Sequence, residues 1–298
     1  MEMLSDENKF GLIDRVEITV LMDDYAGFDS AMIAVHGASY LVEVTAGKHT
    51  KTILFDTGQS TDSLLHNMAL LKKDIKAIDY IILSHCHYDH TGGLLGTLQA
   101  IGKKSLPIVA HPDIFRQSIA LDPCLRSIGF YPGHNRSALE AAGGELILTT
   151  DPLKIMPGIL TTGEITRRVE FENQPTLSTY TLNEGQLVPD LLTDDLSMVL
   201  LFNDSIAVLT GCSHAGIISI IQTAVNITGV DRIKAVIGGF HLLSADAPKI
   251  KTTVEKMKEI NPAEIFTGHC SGLKAEAALQ NSFGSRFHKL STGLEIKL

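Results

Sequence analysis

The sequence predicts a layered α/β domain, and two observations support this prediction. The composition is that of a globular protein, with 44% hydrophobic and 20% charged residues in a chain of 298. Along the chain, short β-branched or apolar runs alternate with segments whose apolar residues recur at helical spacing. There is no tandem repeat and no linker-like run of serine, glycine and proline. We therefore expect one domain spanning residues 1–298.

The first part of the chain begins with strand-like segments. Three runs separated by polar or glycine-containing turns predict a meandering sheet, at residues 16–22, 41–44 and 52–55. Residues 61–73 place their leucines and Met68 near helical spacing and predict a helix, and residues 80–83 predict a short buried strand.

The last third of the chain repeats the alternation. It predicts strands at residues 198–202, 206–209, 233–237, 264–266 and 294–297. Helices are predicted between them, at residues 217–225, 249–260 and 273–279. Pro262 ends the second of these helices.

The middle of the chain, residues 101–190, has weak periodicity and recurrent glycine, proline and polar residues. Within it only residues 108–110 and 146–148 resemble strands. We expect this stretch to be a cap or a substrate-binding insertion within the single domain.

Charge and targeting signals limit the partners. With 34 acidic against 25 basic residues the net charge is −9, which argues against a nucleic-acid or anionic-membrane partner. Residues 1–10 are polar and acidic, unlike a signal peptide, and no apolar run approaches the about 18 residues of a membrane span. We expect a cytoplasmic protein that acts on a small molecule, and we leave homo-oligomerisation open.

The cysteines are scattered and form no CxxC pair, so they predict no disulfide framework. Cys86, Cys212 and Cys270 each lie next to a histidine or one residue away from one. This placement makes them candidate neighbours of a functional site.

The most informative stretch is SHCHYDHTGG at residues 84–93, directly after a predicted strand. In an extended segment residues two apart face the same way, so His85 and His87 can share one metal ion. Asp89 and His90, where the chain turns, can address another. Imidazole and carboxylate ligands suit zinc, iron or manganese. Isolated histidines after a strand are usually exposed or core residues, but four potential ligands within six positions favour a metal site.

The HxHxDH pattern resembles the signature of the metallo-β-lactamase superfamily. Further motifs occur in the order that the resemblance implies: LFDTG at residues 54–58, LTGCSH at 209–214 and TGHC at 267–270. The resemblance implies a four-layer αββα sandwich over nearly the whole chain, with a two-metal site at one sheet edge. The metals would be divalent, with zinc favoured and iron, manganese or magnesium as alternatives.

The resemblance also implies roles for individual residues. One metal would be held by His85, His87 and His214, and the other by Asp89, His90 and His269, with a bridging water or hydroxide as nucleophile in a hydrolytic reaction. Asp89 would thus belong to the catalytic centre. Asp56, in the LFDTG motif, would be a carboxylate that shapes the site.

The sequence departs from many superfamily members at the position of a bridging aspartate, where Cys212 stands. Asp194 or Asp195 could supply the missing carboxylate, or both could belong to a solvated turn. Cys212 could bind as a thiolate, which would favour zinc, or be a small packed residue. These alternatives stay open at this point.

Other histidines are weaker candidates. His241 follows a glycine pair at a strand end, which gives it freedom to enter a cleft as a metal ligand or proton donor, although a structural role is equally compatible. His111 and His134 lie in the middle stretch, where they are either substrate contacts or surface residues. For His134 we favour the surface.

Four longer motifs narrow the resemblance: TTGEITRRVEFE at residues 161–172, TGCSHAG at 210–216, GGFHL at 238–242 and GHCSG at 268–272. They resemble the subgroup that includes the synthases of 7,8-dihydropterin-6-methyl-4-(β-D-ribofuranosyl)aminobenzene 5′-phosphate. That subgroup condenses a dihydropterin diphosphate with a ribosylated aminobenzene phosphate and releases pyrophosphate, in methanopterin biosynthesis.

In such a reaction a metal pair would stabilise the departing diphosphate, and Arg167 or Arg168 could hold a phosphate. Salt bridges to Glu164, Glu170 or Glu172 are the alternative for these arginines. The competing functions are a metal-dependent hydrolase, such as a phosphodiesterase, lactonase or thioesterase, and a non-catalytic binding scaffold. Loss of metal ligands would be expected of a scaffold, and none of the main ones is missing.

Overall fold

A computed structural model describes residues 10–167, 169–173 and 179–298. In chain order its strands are β1 (Arg15–Met22), β2 (Ser39–Ala46), β3 (His49–Phe55), β4 (Tyr80–Ile82), β5 (Leu106–Ala110), β6 (Ile119–Ala120), β7 (Arg126–Ser127), β8 (Gly144–Leu148), β9 (Lys154–Met156), β10 (Ile159–Thr161), β11 (Thr179–Asn183), β12 (Gln186–Pro189), β13 (Met198–Leu201), β14 (Ile206–Leu209), β15 (Ile233–Gly238), β16 (Glu264–Thr267), β17 (Phe287–Lys289) and β18 (Glu295–Lys297). The helices are α1 (Thr61–Leu70), α2 (Tyr88–Thr91), α3 (Leu94–Ile101), α4 (Arg136–Ala141), α5 (Ile217–Thr228), α6 (Ala247–Ile260) and α7 (Leu273–Phe283).

Most of these strands form two seven-stranded sheets. The first has the order β18-β1-β2-β3-β4-β5-β8 and the second β17-β16-β15-β14-β13-β10-β9. The predicted meander is confirmed, because β1, β2 and β3 pair antiparallel. From β3 onward the first sheet is parallel, as is the second sheet from β14 to β17.

The apolar residues separate into three cores, which define four layers. Residues from the inner faces of both sheets, such as Val42 and Leu200, pack together between the sheets. Helices α1, α3 and α4 cover the outer face of the first sheet, and α5, α6 and α7 cover that of the second. The expected αββα sandwich is thereby confirmed.

Several boundaries differ from the sequence prediction. Helix α1 ends at Leu70 rather than at residue 73, because Lys72 adopts a positive φ of 55° that the helix cannot continue through. Helix α3, which is eight residues long and contains a glycine, has no predicted counterpart. It packs closely on α1, where a Cβ on Gly96 would lie 2.4 Å from the hydroxyl of Thr61.

The stretch 101–190 divides between the sandwich and a smaller sheet. Strands β5 and β8 complete the first large sheet, and β9 and β10 the second. The remainder contributes a four-stranded sheet with the order β12-β11-β6-β7. The part of the chain outside the sandwich is therefore shorter than the expected insertion at residues 101–190. Its role in substrate binding stays a prediction.

Among the described helices, none combines the length and the apolar character that crossing a bilayer requires.

Packing between the sheets predicts a large effect of truncating one inner side chain. Leu200 on β13 is fully buried there, so Leu200→Ala should lower the free energy of unfolding by about 2–5 kcal/mol. Leu273, which is 79% exposed at the start of α7, is the matched control, and Leu273→Ala should change it by less than about 0.5 kcal/mol. Urea unfolding measures both; equal effects would contradict this layer assignment.

Candidate metal centre

The candidate site lies where strands of both sheets end. Parallel strands present their carboxyl ends at the same edge, and here the edges of the two sheets meet. The residues that follow β3, β4, β14, β15 and β16 are, respectively, Asp56, the segment 83–90, the segment 210–214, His241 and His269. The motifs that are far apart in sequence therefore converge in space.

One group of ligand atoms comes from His85, Cys212 and His214, whose donor atoms lie within 4.8 Å of one another. The Nε2 atoms of His85 and His214 face each other at 3.2 Å. His87 lies beside this group, with its ring centroid 4.7 Å from that of His85 and 4.8 Å from that of His214. Its own Nε2 is 3.3 Å from the hydroxyl of Ser118.

A second group comprises Asp89, His90, Cys212 and His269, whose donor atoms also lie within 4.8 Å of one another. The Sγ atom of Cys212 is 3.0 Å from His90 Nε2 and 3.3 Å from His269 Nε2. One carboxylate oxygen of Asp89 is 3.5 Å from His90 Nε2 and 3.3 Å from His269 Nε2. Cys212 belongs to both groups and so lies between them.

These spacings fit metal ions. Zinc bonds of 2.0–2.3 Å in tetrahedral geometry place ligand atoms about 3.3–3.8 Å apart. The facing atoms of both groups lie at or slightly below this separation. Imidazole, thiolate and carboxylate donors that converge in this way, and that are buried, match the chemistry of a divalent transition metal.

The carboxylate of Asp56 fixes the orientation of ligands in both groups. It accepts hydrogen bonds from the backbone amide of Ser84 at 2.7 Å, from the Ser84 hydroxyl at 2.7 Å and from His90 Nδ1 at 2.6 Å. The Ser84 hydroxyl is also 2.9 Å from His85 Nδ1. Gly211 packs against this arrangement, because a Cβ there would lie 2.2 Å from the Ser84 hydroxyl.

Two residues that the sequence analysis missed complete the site. Asp24, just after β1, accepts a hydrogen bond from His269 Nδ1 at 2.7 Å. His36 lies between Asp24 and Asp89, with its ring nitrogens 3.0 Å and 3.5 Å from their carboxylate oxygens. A carboxylate on the far ring nitrogen of a ligand histidine is the usual support of a metal site. The only local signal was an acidic pair at the end of a predicted strand.

The buried ionisable groups of the site divide into those whose pKa is lowered and those whose pKa is raised. Burial lowers the pKa of His85 and His214 well below the usual value and that of His87 to about 4, so these rings are neutral and can offer lone pairs. Burial also acts to lower the pKa of His90, but the negative charges of Asp89 and Asp56 outweigh this effect and raise the pKa of His90 to about 9. Burial also raises the pKa of the Cys212 thiol.

Four residues at this edge adopt a positive φ that side chains other than glycine rarely take. They are Asp56 (58°), Ser213 (59°), His241 (47°) and His269 (47°). Each follows a strand of one of the two large sheets. Such strained conformations concentrate at functional sites, where surrounding contacts impose them.

Asp194 and Asp195 are neither solvated nor members of a ligand group. Both are buried, and each accepts a hydrogen bond from a backbone amide, Asp194 from Cys86 at 2.7 Å and Asp195 from Ala215 at 2.6 Å. Arg116 pairs with Asp194 at 2.7 Å and with Asp190 at 2.9 Å. These carboxylates therefore hold the backbone beside the ligand histidines. Burial raises the pKa of Asp195 to about 7.

His241 lies in the site, with its ring centroid 4.2 Å from that of His214 and its donor atom grouped with those of Cys212 and Cys270. Cys270 is thus a neighbour of the site, as expected, whereas Cys86 belongs to the core beneath the first sheet.

Of the predicted substrate contacts that the structure describes, only Arg167 contacts a residue of the site, through the backbone of His214. His111 caps a short turn and is 3.3 Å from Glu164, and His134 packs against Tyr131. Arg167 donates to the carbonyls of Leu191 and His214. Arg168 lies outside the described residues.

A cavity of about 320 Å³ opens onto both ligand groups. Its walls include apolar side chains as well as the ligands, and its lining residues are Asp24, His36, His87, Tyr88, Asp89, Arg126, Ile128, Cys212, His214, His241, Leu243, Ser244, His269 and Cys270. A small molecule can therefore reach the candidate metal centre.

Comparison with known proteins identifies a matching family and two similar proteins. A model of the metallo-β-lactamase superfamily matches residues 33–124. The chain is 40% identical over 289 residues to a 7,8-dihydropterin-6-methyl-4-(β-D-ribofuranosyl)-aminobenzene-5′-phosphate synthase of Methanocaldococcus jannaschii, covering 96% of this chain and 98% of the relative. An uncharacterised protein of the same organism is 32% identical over 87% of this chain and 91% of its own.

Among solved structures, that of a metal-dependent hydrolase of the β-lactamase superfamily is similar with a TM-score of 0.79. It is 26% identical and covers 95% of this chain and 99% of its own.

The Arg116 cluster predicts a stability effect. Arg116→Met would leave Asp190 and Asp194 buried without their cation, which should cost about 3–5 kcal/mol of unfolding free energy. Arg232 forms a solvent-exposed pair with Asp204, so Arg232→Met should cost at most about 1 kcal/mol. Urea unfolding of both variants tests this, and a small loss in Arg116→Met would argue against the structural role of the cluster.

Proposed function

The chain belongs to the metallo-β-lactamase superfamily, and from this premise we propose that it is a metal-dependent synthase that joins a dihydropterin diphosphate to a ribofuranosylaminobenzene 5′-phosphate. The observation that supports this most is the 40% identity over nearly the whole length to the synthase of Methanocaldococcus jannaschii. The set of ligand residues at the sheet edges agrees with it, because a non-catalytic scaffold would be expected to lose them.

We assign two divalent metal ions to the two ligand groups. His85, His87 and His214 would hold one, and Asp89, His90 and His269 the other. Cys212, which belongs to both groups, would take the position of a bridging ligand. A thiolate among imidazoles favours zinc over magnesium. When bound, such metals would act as Lewis acids that stabilise the negative charge of a departing diphosphate.

The remaining residues of the site orient the proposed ligands or take up a proton. Asp56 and Asp24 orient His90 and His269 through their Nδ1 atoms and are positioning residues. His241 lines the cavity beside His214 and is our candidate for taking up the proton that the arylamine nitrogen loses as its bond to the pterin methylene forms. Apolar cavity walls formed by Ile128 and Leu243 would limit water near the reacting groups.

We propose that this reaction takes place in the cytoplasm. We also propose that the protein has no nucleic-acid or membrane partner, as its net charge of −9 favours.

A hydrolase is the second candidate, since the structural relative with a TM-score of 0.79 is described as a metal-dependent hydrolase. The same ligand groups would then support transfer to water instead of to an amine. The two functions differ in which second reactant they require.

The first test supplies metal-loaded protein with the dihydropterin diphosphate, with and without the ribosylated aminobenzene phosphate. We expect pyrophosphate release only when both are present, together with the mass of the coupled product. Pyrophosphate or phosphate released with water alone would favour the hydrolase.

The ligand assignment predicts altered metal content. His87→Ala and Asp89→Ala should each lower the bound metal by about one ion per chain and abolish pyrophosphate release, with an unchanged circular dichroism spectrum. His49 is exposed at the start of β3 and provides the control, because His49→Ala removes an imidazole outside the site. Elemental analysis after dialysis measures the stoichiometry. Full metal content in both site variants would refute the assignment.

A further inference from the structure

We infer that Arg126 binds the phosphate monoester of the aminobenzene riboside, at the mouth of the cavity. This inference rests on the proposed function and adds a substrate-binding residue to it. It also replaces Arg167, one of the two arginines for which the sequence predicts this contact.

The first observation is the position of Arg126. Among the arginines and lysines in the described ranges, it alone lines the 320 Å³ cavity. The other charged lining residues include Asp24 and Asp89, which repel an anion. In a chain of net charge −9, a second phosphate that lies away from the proposed metal ions needs a cation of its own, and Arg126 supplies one.

The second observation is that the charge of Arg126 is not neutralised. The guanidinium uses one nitrogen, Nη1, to donate to the backbone carbonyls of Asp122 and Cys124. Within the described part of the chain it has no carboxylate at ion-pair distance. By contrast, Arg116 is paired with two buried aspartates, and Arg167, which does not itself line the cavity, donates to the carbonyls of Leu191 and His214.

The third observation is that backbone hydrogen bonds fix the position of Arg126 relative to the proposed metal ligands. It lies on β7 and pairs with Ala120 of β6. Two residues on, Ile128 donates its amide to the carbonyl of Ser118 at 2.8 Å and accepts from the amide of Tyr88 at 2.9 Å. Ser118 contacts His87 and Tyr88 precedes Asp89, so the arginine is tied to both ligand groups.

The exposure of Arg126 indicates that it binds the phosphate of the riboside and not the diphosphate of the pterin. The proposed ligands are buried at the base, where the diphosphate would have to lie in order to reach the metals. Arg126 is exposed, and so it reaches a phosphate at the outer end of the substrate.

Ile128 and Tyr88 also line the cavity, and the Tyr88 ring stacks on Tyr131 with ring centroids 5.8 Å apart, which forms a surface suited to an aromatic ring. A planar guanidinium with free donors is the group that binds a phosphate in bidentate fashion.

The test measures binding and turnover with the ribofuranosylaminobenzene 5′-phosphate and with its dephosphorylated form. Arg126→Met should weaken binding of the phosphorylated compound to the metal-loaded protein, and raise its KM, by about 10- to 100-fold. Binding of the dephosphorylated compound and the KM for the dihydropterin diphosphate should stay the same. Arg126→Lys should fall between, because it keeps the charge but loses the fork. Arg232→Met is the control that removes an equal charge from an exposed pair.

Equal weakening of both riboside compounds, or a raised KM for the diphosphate instead, would overturn the inference. Unchanged constants for all three substrates would overturn it as well. Failure of the proposed function looks different: the wild-type protein would bind the aryl phosphate in calorimetry and show no condensation. Loss of that binding in Arg126→Met would then still support the phosphate site.

Discussion

The buried carboxylate of Asp56 is the contact on which the organisation of the site depends. It binds the backbone and hydroxyl of Ser84 and the ring of His90, and through the Ser84 hydroxyl it also orients His85. One side chain at the end of β3 thus aligns a histidine in each ligand group. Gly211 must lack a side chain for the second sheet to approach this contact. The two sheets and the two groups are therefore fitted around a single carboxylate.

Much of the architecture could be predicted from the sequence, because it rests on local patterns. Strands and helices in the last third alternate with clear periodicity, and the four potential ligands in residues 84–93 are close in sequence. Helix α3 was not found in this way, because it is only eight residues long and contains Gly96. His214 and His269 were identified by resemblance to a family, as their distance from the first motif allows no prediction from spacing.

The contacts that support the site were the hardest to predict. Asp24 and His269 are 245 positions apart, and only the folded sheets bring them together. Asp194 and Asp195 have the composition of a solvated turn, yet they are buried because each accepts a backbone amide that would otherwise lack a partner. Arg126 lies on a strand of two residues, too short to show a pattern. Such residues depend on tertiary structure and leave no local signal.

The division of each ligand group between the two sheets has a consequence for biosynthesis. His85 to His90 leave the ribosome early, but Cys212, His214 and His269 follow only when most of the chain has been made. Neither group can form while the second sheet is missing, so the metal ions that we propose would be captured only after most of the chain has been translated. The growing chain then meets the cellular metal pool with only part of each binding site. On the proposed assignment, selection of the correct ion would fall to the finished fold.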